Sequence, residues 1–146
     1  MICLTRAIVE EMFAHARACD PAECCGLIGG VIEDADTRYS IARNIYRLRN
    51  IADDPRVAYE AAPEELFRSQ KTLRARDEQL LGIYHSHPRA SDPLPSQTDV
   101  QRAYYPSVIY FIVGLSGNEA RLGAFHLYER GNRWERVAYK VLDDES

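Results

Sequence analysis

The chain has no Cys-x-x-Cys pair; its four cysteines stand at 3, 19, 24 and 25. That spacing excludes a zinc ribbon and a thioredoxin-type redox site. A bond between the adjacent Cys24 and Cys25 would strain the peptide between them, so small buried hydrophobes are the expected role for these thiols. Long apolar runs are missing as well. None approaches the roughly 20 residues a membrane helix requires, and the start, MICLTRAIVEEMF, lacks the cationic head and unbroken apolar stretch of a secretory signal. A cytoplasmic location without a membrane partner is expected. Nor is there an excess of positive charge: 18 Lys and Arg stand against 22 Asp and Glu, a net charge of -4, with the arginines scattered. Nucleic acid is therefore not an expected partner.

What is present fits one folded unit. The 146 residues, 46% hydrophobic and 27% charged, suit a single domain over 1–146 with one sizeable core. Leu4, Ile8, Met12, Ala16 and Cys19 recur at helical spacing and predict an amphipathic helix from about Thr5, its N-cap, to Cys19, stopped by Asp20-Pro21. CGLIGGVIED and TRYSIARNI read as a pair of strands. NIADDPRVAY, from Asn50 to Tyr59, is too polar and proline-broken for a core strand and reads as a surface loop ending in a short extended piece. Pro63 opens a helix with Glu64 and Glu65 in its first turn and Leu66, Phe67 and Leu73 on its inward face. QLLGIYHSH reads as a strand, SQTDVQRAY as a helix start, and SVIYFIVGL, ARLGAFHLYER and RWERVAYKVL as three further strands. The expected fold class is α/β (α+β), a mainly antiparallel sheet with about three helices.

The run QLLGIYHSH delivers two histidines at its end, followed by the proline-studded PRASDPLP and then SQTD. Residues two apart on a strand share a face. His85 and His87 would therefore project together with Ser86 opposite, and the turn beyond lets Asp99 come back toward them. Two imidazoles and a carboxylate suit zinc, whose catalytic sites take three protein ligands and leave a fourth position open. Taken singly, the pieces have plainer readings. His-x-His pairs are common at solvent-facing strand edges, Ser96-x-x-Asp99 is also a helix-capping pattern, and Glu23 alone is an ordinary surface acid. His15 and His126 are assigned to packing or surface positions.

Together the pieces resemble a family. Glu23 in PAECCGLIGG, His85-Ser86-His87-Pro88 and Ser96-Gln97-Thr98-Asp99 stand in the order of the signature of the JAMM (MPN+) metalloproteases, an upstream Glu, then H-[ST]-H-P and S-x-x-D. The flanks NIADDP, YEAAPEEL and GIYHSHP are similar to its small bacterial branch. One departure is the loop Pro88 to Pro95, a residue longer than in the signature. Surface loops absorb single insertions cheaply, and Pro93 and Pro95 keep this one extended.

The resemblance implies a JAMM-type sandwich, a curved and mainly antiparallel sheet flanked by helices, with Zn2+ held by His85, His87 and Asp99 where the His85 strand ends. It implies Glu23 as the general base for the attacking water and Ser96 as a hydroxyl that stabilises the oxyanion. The implied reaction is hydrolysis of the amide after the C-terminal Gly-Gly of a ubiquitin-like sulfur-carrier protein, releasing cysteine or another adduct. Two alternatives stand beside it. A deubiquitinase-like isopeptidase acting on conjugated lysine would need chain-gripping insertions for which 146 residues leave little room. A metal-free MPN scaffold that only binds partners would usually have lost ligand residues, and all are present here. A zinc deaminase is excluded because no Pro-Cys-x-x-Cys follows the histidines. Oligomeric state, and any gating by the loop Asn50 to Tyr59, are left open by the sequence.

Overall fold

Thr5 ends one element and begins the next. A computed structural model, which describes residues 1–105 and 107–143, places it last in strand β1 (Ile2–Thr5), where its hydroxyl accepts from the Ile8 amide and caps helix α1 (Arg6–Cys19). The helix buries Ile8, Val9, Met12, His15 and Ala16 along one stripe, as its spacing predicts. Leu4, counted in the helical spacing, lies fully buried in β1 instead. The expected domain span 1–146 includes residues 106 and 144–146, which lie outside the described residues.

The other elements are β2 (Cys25–Val31), β3 (Ser40–Leu48), α2 (Pro63–Ala75), β4 (Gln79–His87), α3 (Gln97–Gln101), β5 (Ile109–Gly114), β6 (Arg121–Tyr128), β7 (Arg133–Arg136) and β8 (Tyr139–Leu142). The strands form one sheet, mixed but mainly antiparallel, in the order β7-β6-β5-β4-β2-β3-β1-β8. RWERVAYKVL, read as one strand, is two: β7 pairs with β6 at one edge and β8 with β1 at the other. Only residues 137–138 separate them, a reach of about 11 Å at most. Flat strands in this number would set the edges about 34 Å apart. The sheet must therefore curl until its edges approach. Tyr139 marks the closure, its hydroxyl donating to the Leu122 carbonyl at 2.9 Å and its ring meeting Phe111 edge-on at 6.0 Å.

Each face of the sheet carries its own apolar layer. α1 packs on Ile2, Leu4, Ile28, Tyr84 and Phe111, while Leu27, Ile83, Tyr110, Ile112 and Phe125 line the opposite face. A fully buried side chain of this size contributes about 1.5–3 kcal/mol over an exposed one, so these layers outweigh β7, which is exposed along its length. Phe67 does not join them: it is 63% exposed, whereas Leu73 on the same helix is buried. Leu66 and Leu73 lie two turns apart and set the inward stripe of α2, and Phe67 is rotated about 100° from it. Gly26 faces Tyr84 across the β2–β4 pair, and a side chain on it would start within 2.4 Å of the tyrosine ring. That close approach lets the Tyr84 hydroxyl reach His15 Nδ1 at 2.7 Å. Among the described residues, no helix is long and apolar enough to cross a membrane.

Candidate active site

His85 and His87 end β4, a strand paired on both sides, with Cys25 of β2 and Ile112 of β5 opposite His85. Strand alternation puts both imidazoles on the face of Ile83, away from α1, and turns Ser86 into the other layer, fully buried. There the Ser86 hydroxyl accepts from the Cys24 amide at 2.8 Å, and the Ser86 amide donates to the Cys24 carbonyl at 3.2 Å. Carried one step further, this antiparallel register brings Glu23 opposite His87. The Cys24–Ser86 pairing thus closes a gap of 62 positions in the sequence.

Asp99 arrives from beyond the loop by way of α3. Ser96 Oγ accepts from the Asp99 amide at 3.0 Å, and Asp99 Oδ2 accepts from the Ser96 amide at 2.8 Å, a reciprocal capping box. The same Oδ2 lies 3.2 Å from His85 Nε2 and 3.1 Å from His87 Nε2, and the two nitrogens are 3.1 Å apart. The capping reading and the ligand reading therefore describe one carboxylate. The long loop does not disturb it. Pro88 to Pro95 folds back on the β5 end, where the Ala90 carbonyl accepts from Ser116 at 3.0 Å and sits 2.6 Å from the point at which a Gly114 side chain would begin.

Charge is concentrated in this corner. Burial pushes the Glu23 carboxyl up to about 7, with His87 pulling it down and Asp99 pushing it up. Burial also works against an ionised Asp99, but the charge of His85 and hydrogen bonds from both imidazoles and the Ser96 amide hold its carboxyl well below the usual range. For His87, burial is outweighed by its bond to Asp99, by the nearby carboxylates and by a hydrogen bond to the Leu94 backbone, and its affinity for a proton rises. The thiols of Cys24 and Cys25 are pushed up to about 12 by burial. All four cysteines are free, in keeping with a packing role.

Residues 5–128 match the family described as prokaryotic homologs of the JAB domain. The chain belongs to that family. It is 40% identical over 112 residues to a desampylase from Haloferax volcanii, covering 74% of this chain and 76% of that protein. It is 34% identical over 122 residues to a probable TtuB-protein conjugate cleaving protease from Thermus thermophilus, covering 84% and 76% of the two chains. A CysO-cysteine peptidase from Mycobacterium tuberculosis is 32% identical over 107 residues, covering 73% and 68%. A solution structure from Desulfitobacterium hafniense matches with a TM-score of 0.82 at 30% identity, covering 100% of this chain and 94% of that one.

The donor atoms of His85, His87 and Asp99 are spaced to fit a tetrahedral metal. Ligand atoms about 2.0–2.1 Å from zinc stand about 3.3–3.4 Å from one another, and the His85, His87 and Asp99 atoms are 3.1–3.2 Å apart. Glu23 offers an oxygen within 4.8 Å of donor atoms on both histidines. Metal-binding histidines usually give their second ring nitrogen to a hydrogen-bond acceptor. The His85 Nδ1 is buried with no partner among the described residues, and its ring stacks on Tyr59, with centroids 4.5 Å apart and planes at 26°.

A cavity of about 560 Å³ opens beside Asp99 and Tyr59. Its floor is apolar, with Leu27, Leu48, Ile83 and Tyr110, and residues 52–54 and 57–61 line it from the loop side. Sequence reasoning brought together Glu23, His85, His87, Ser96 and Asp99, and the structure places all of them in this corner. It missed Tyr59 and Asn50, both assigned to a plain surface loop. Tyr59 meets His85 across the fold, and Asn50 joins its own loop to Glu23, 27 positions away, so neither of these contacts shows in a short stretch of sequence.

Proposed function

We propose that this chain is a cytoplasmic zinc-dependent metallopeptidase that hydrolyses the amide bond after the C-terminal Gly-Gly of a ubiquitin-like sulfur carrier, releasing cysteine or another adduct. The observation that carries this reading is the 3.1–3.2 Å triangle of His85, His87 and Asp99, with buried Glu23 beside it. The names of the relatives, a desampylase, a TtuB-conjugate protease and a CysO-cysteine peptidase, point to carrier conjugates as the substrate class.

Held by His85 Nε2, His87 Nε2 and Asp99 Oδ2, zinc would supply Lewis acidity toward the scissile carbonyl and acidify a water near neutral pH. Glu23 takes the water's proton on its carboxylate and returns it to the leaving amine. Ser96 Oγ, which accepts from the Asp99 amide, retains its own hydrogen to donate to the carbonyl oxygen as negative charge develops there. β4 has strand partners on both sides, so the carrier tail reaches the site past the 52–61 loop instead of adding to β4.

Incubating zinc-loaded protein with a carrier whose Gly-Gly is amide-linked to cysteine should lower the carrier's mass by one cysteine residue, as followed by mass spectrometry. The same carrier with a bulky residue in place of its penultimate glycine should stay intact. Equal cleavage of both, or efficient cleavage of unrelated unfolded peptides, would reduce the reading to a zinc peptidase without ubiquitin-like specificity.

A further inference from the structure

Glu23 lies just ahead of β2, which begins at Cys25, so its own N–H and C=O lie outside the strand ladder and are taken up by the segment 50–58. The Glu23 amide donates to the Pro55 carbonyl at 2.7 Å, and the Glu23 carbonyl accepts from Asn50 Nδ2 at 3.0 Å. Nδ2 carries two hydrogens; the other serves the Ala58 carbonyl at 3.0 Å, with the Pro55 carbonyl at 3.4 Å. On its other side, Asn50 Oδ1 accepts from the amides of Ala52 and Glu60, both at 3.0 Å. One half-buried side chain thus uses both its amide nitrogen and its amide oxygen to gather the loop and fasten it to Glu23.

The loop it gathers lines the cavity, and Tyr59, next to Ala58, carries the ring stacked on His85. The general base, the loop over the cavity and the ring against a ligand histidine therefore meet at Asn50.

We infer that Asn50 is a positioning residue for hydrolysis: it sets Glu23 against the metal corner and ties that setting to the loop over the cavity. The inference rests on Glu23 being the general base. Asn50 touches neither the substrate nor the reacting atoms. Its effect is geometric, and a displacement of about 1 Å in a reacting group can cost on the order of 10²-fold in rate.

Asn50→Asp removes the amide donors and sets an oxygen against the Glu23 and Ala58 carbonyls, while an oxygen remains for the Ala52 and Glu60 amides. Asn50→Ser is a second, gentler variant, too short to reach Glu23. Zinc content, thermal melting and steady-state kinetics are measured on the carrier with cysteine amide-linked to its Gly-Gly. We expect zinc content to hold, kcat to fall about 10- to 100-fold, and KM to stay within about twofold. In a Glu23→Gln background, Asn50→Asp should cost nothing more, because the group it positions no longer acts. Wild-type kcat in folded Asn50 variants alongside an impaired Glu23→Gln would overturn the positioning role alone. So would losses that multiply in the double variant, loss of zinc in place of rate, or failure of both Asn50 variants to fold. Near wild-type turnover by Glu23→Gln would instead overturn the base assignment, and the positioning role with it.

Discussion

Ser86 Oγ lies 2.8 Å from the Cys24 amide nitrogen, buried in the layer behind the metal corner. The serine between the two histidines therefore fastens the residue after Glu23, so that both histidines and Glu23 are set by one strand pairing. Ser86→Ala leaves the Cys24 N–H without that partner and should destabilise the fold by about 1–3 kcal/mol. Urea denaturation monitored by fluorescence checks this, and an unchanged midpoint would show that the bond carries no net stability.

Metal content and turnover should separate cleanly. His87→Ala leaves two ligands, and zinc measured by elemental analysis should drop from about one per chain to near none. Glu23→Gln is nearly isosteric and should keep its zinc while hydrolysis falls by about 10²–10⁴-fold. A chelator should abolish wild-type activity, and added zinc should restore it.

Tyr59 stacks on His85, whose Nδ1 has no hydrogen-bond partner among the described residues. Tyr59→Ala should weaken zinc binding by about 10- to 100-fold, the usual effect of losing an outer support, while Tyr59→Phe should bind as the wild type does. Competition with a chromogenic chelator measures both. Equal affinity of the alanine and phenylalanine variants would mean that the stack plays no part.

His15 gives a pH signature on the opposite face. Burial, then the charge of Arg47, lowers its pKa from 6.5 to about 4. Because the folded value is depressed, its contribution is complete above pH 6.5 and is lost as pH falls toward about 4, where the unfolded chain takes up a proton that the folded chain refuses. The loss across that window should be about 2–3 kcal/mol. His15→Gln should flatten this part of the stability profile relative to the wild type, as urea midpoints taken between pH 7 and pH 4 would show.

Much of this molecule is written in short stretches of its sequence. The Thr5 cap and stripe of α1, the apolar run that becomes β4, the shared face of His85 and His87, and the Ser96–Asp99 capping box each depend on residues a few positions apart, whose backbone geometry is nearly the same in any fold. The donor types also raised the expectation of a metal, because imidazole and carboxylate suit zinc. Other features depended on which distant segments pair, and no local pattern carries that. RWERVAYKVL divides between opposite edges because the sheet curls; Phe67 turns outward because Leu66 and Leu73 decide which side of α2 meets the sheet. Glu23 comes opposite His87 through the β2–β4 register together with the backbone bonds of the 50–58 loop, and Asn50 and Tyr59 make their contacts with the backbone of Glu23 and the ring of His85. The tertiary structure decided these contacts because strand partners and helix faces are selected by burying the whole apolar surface at once.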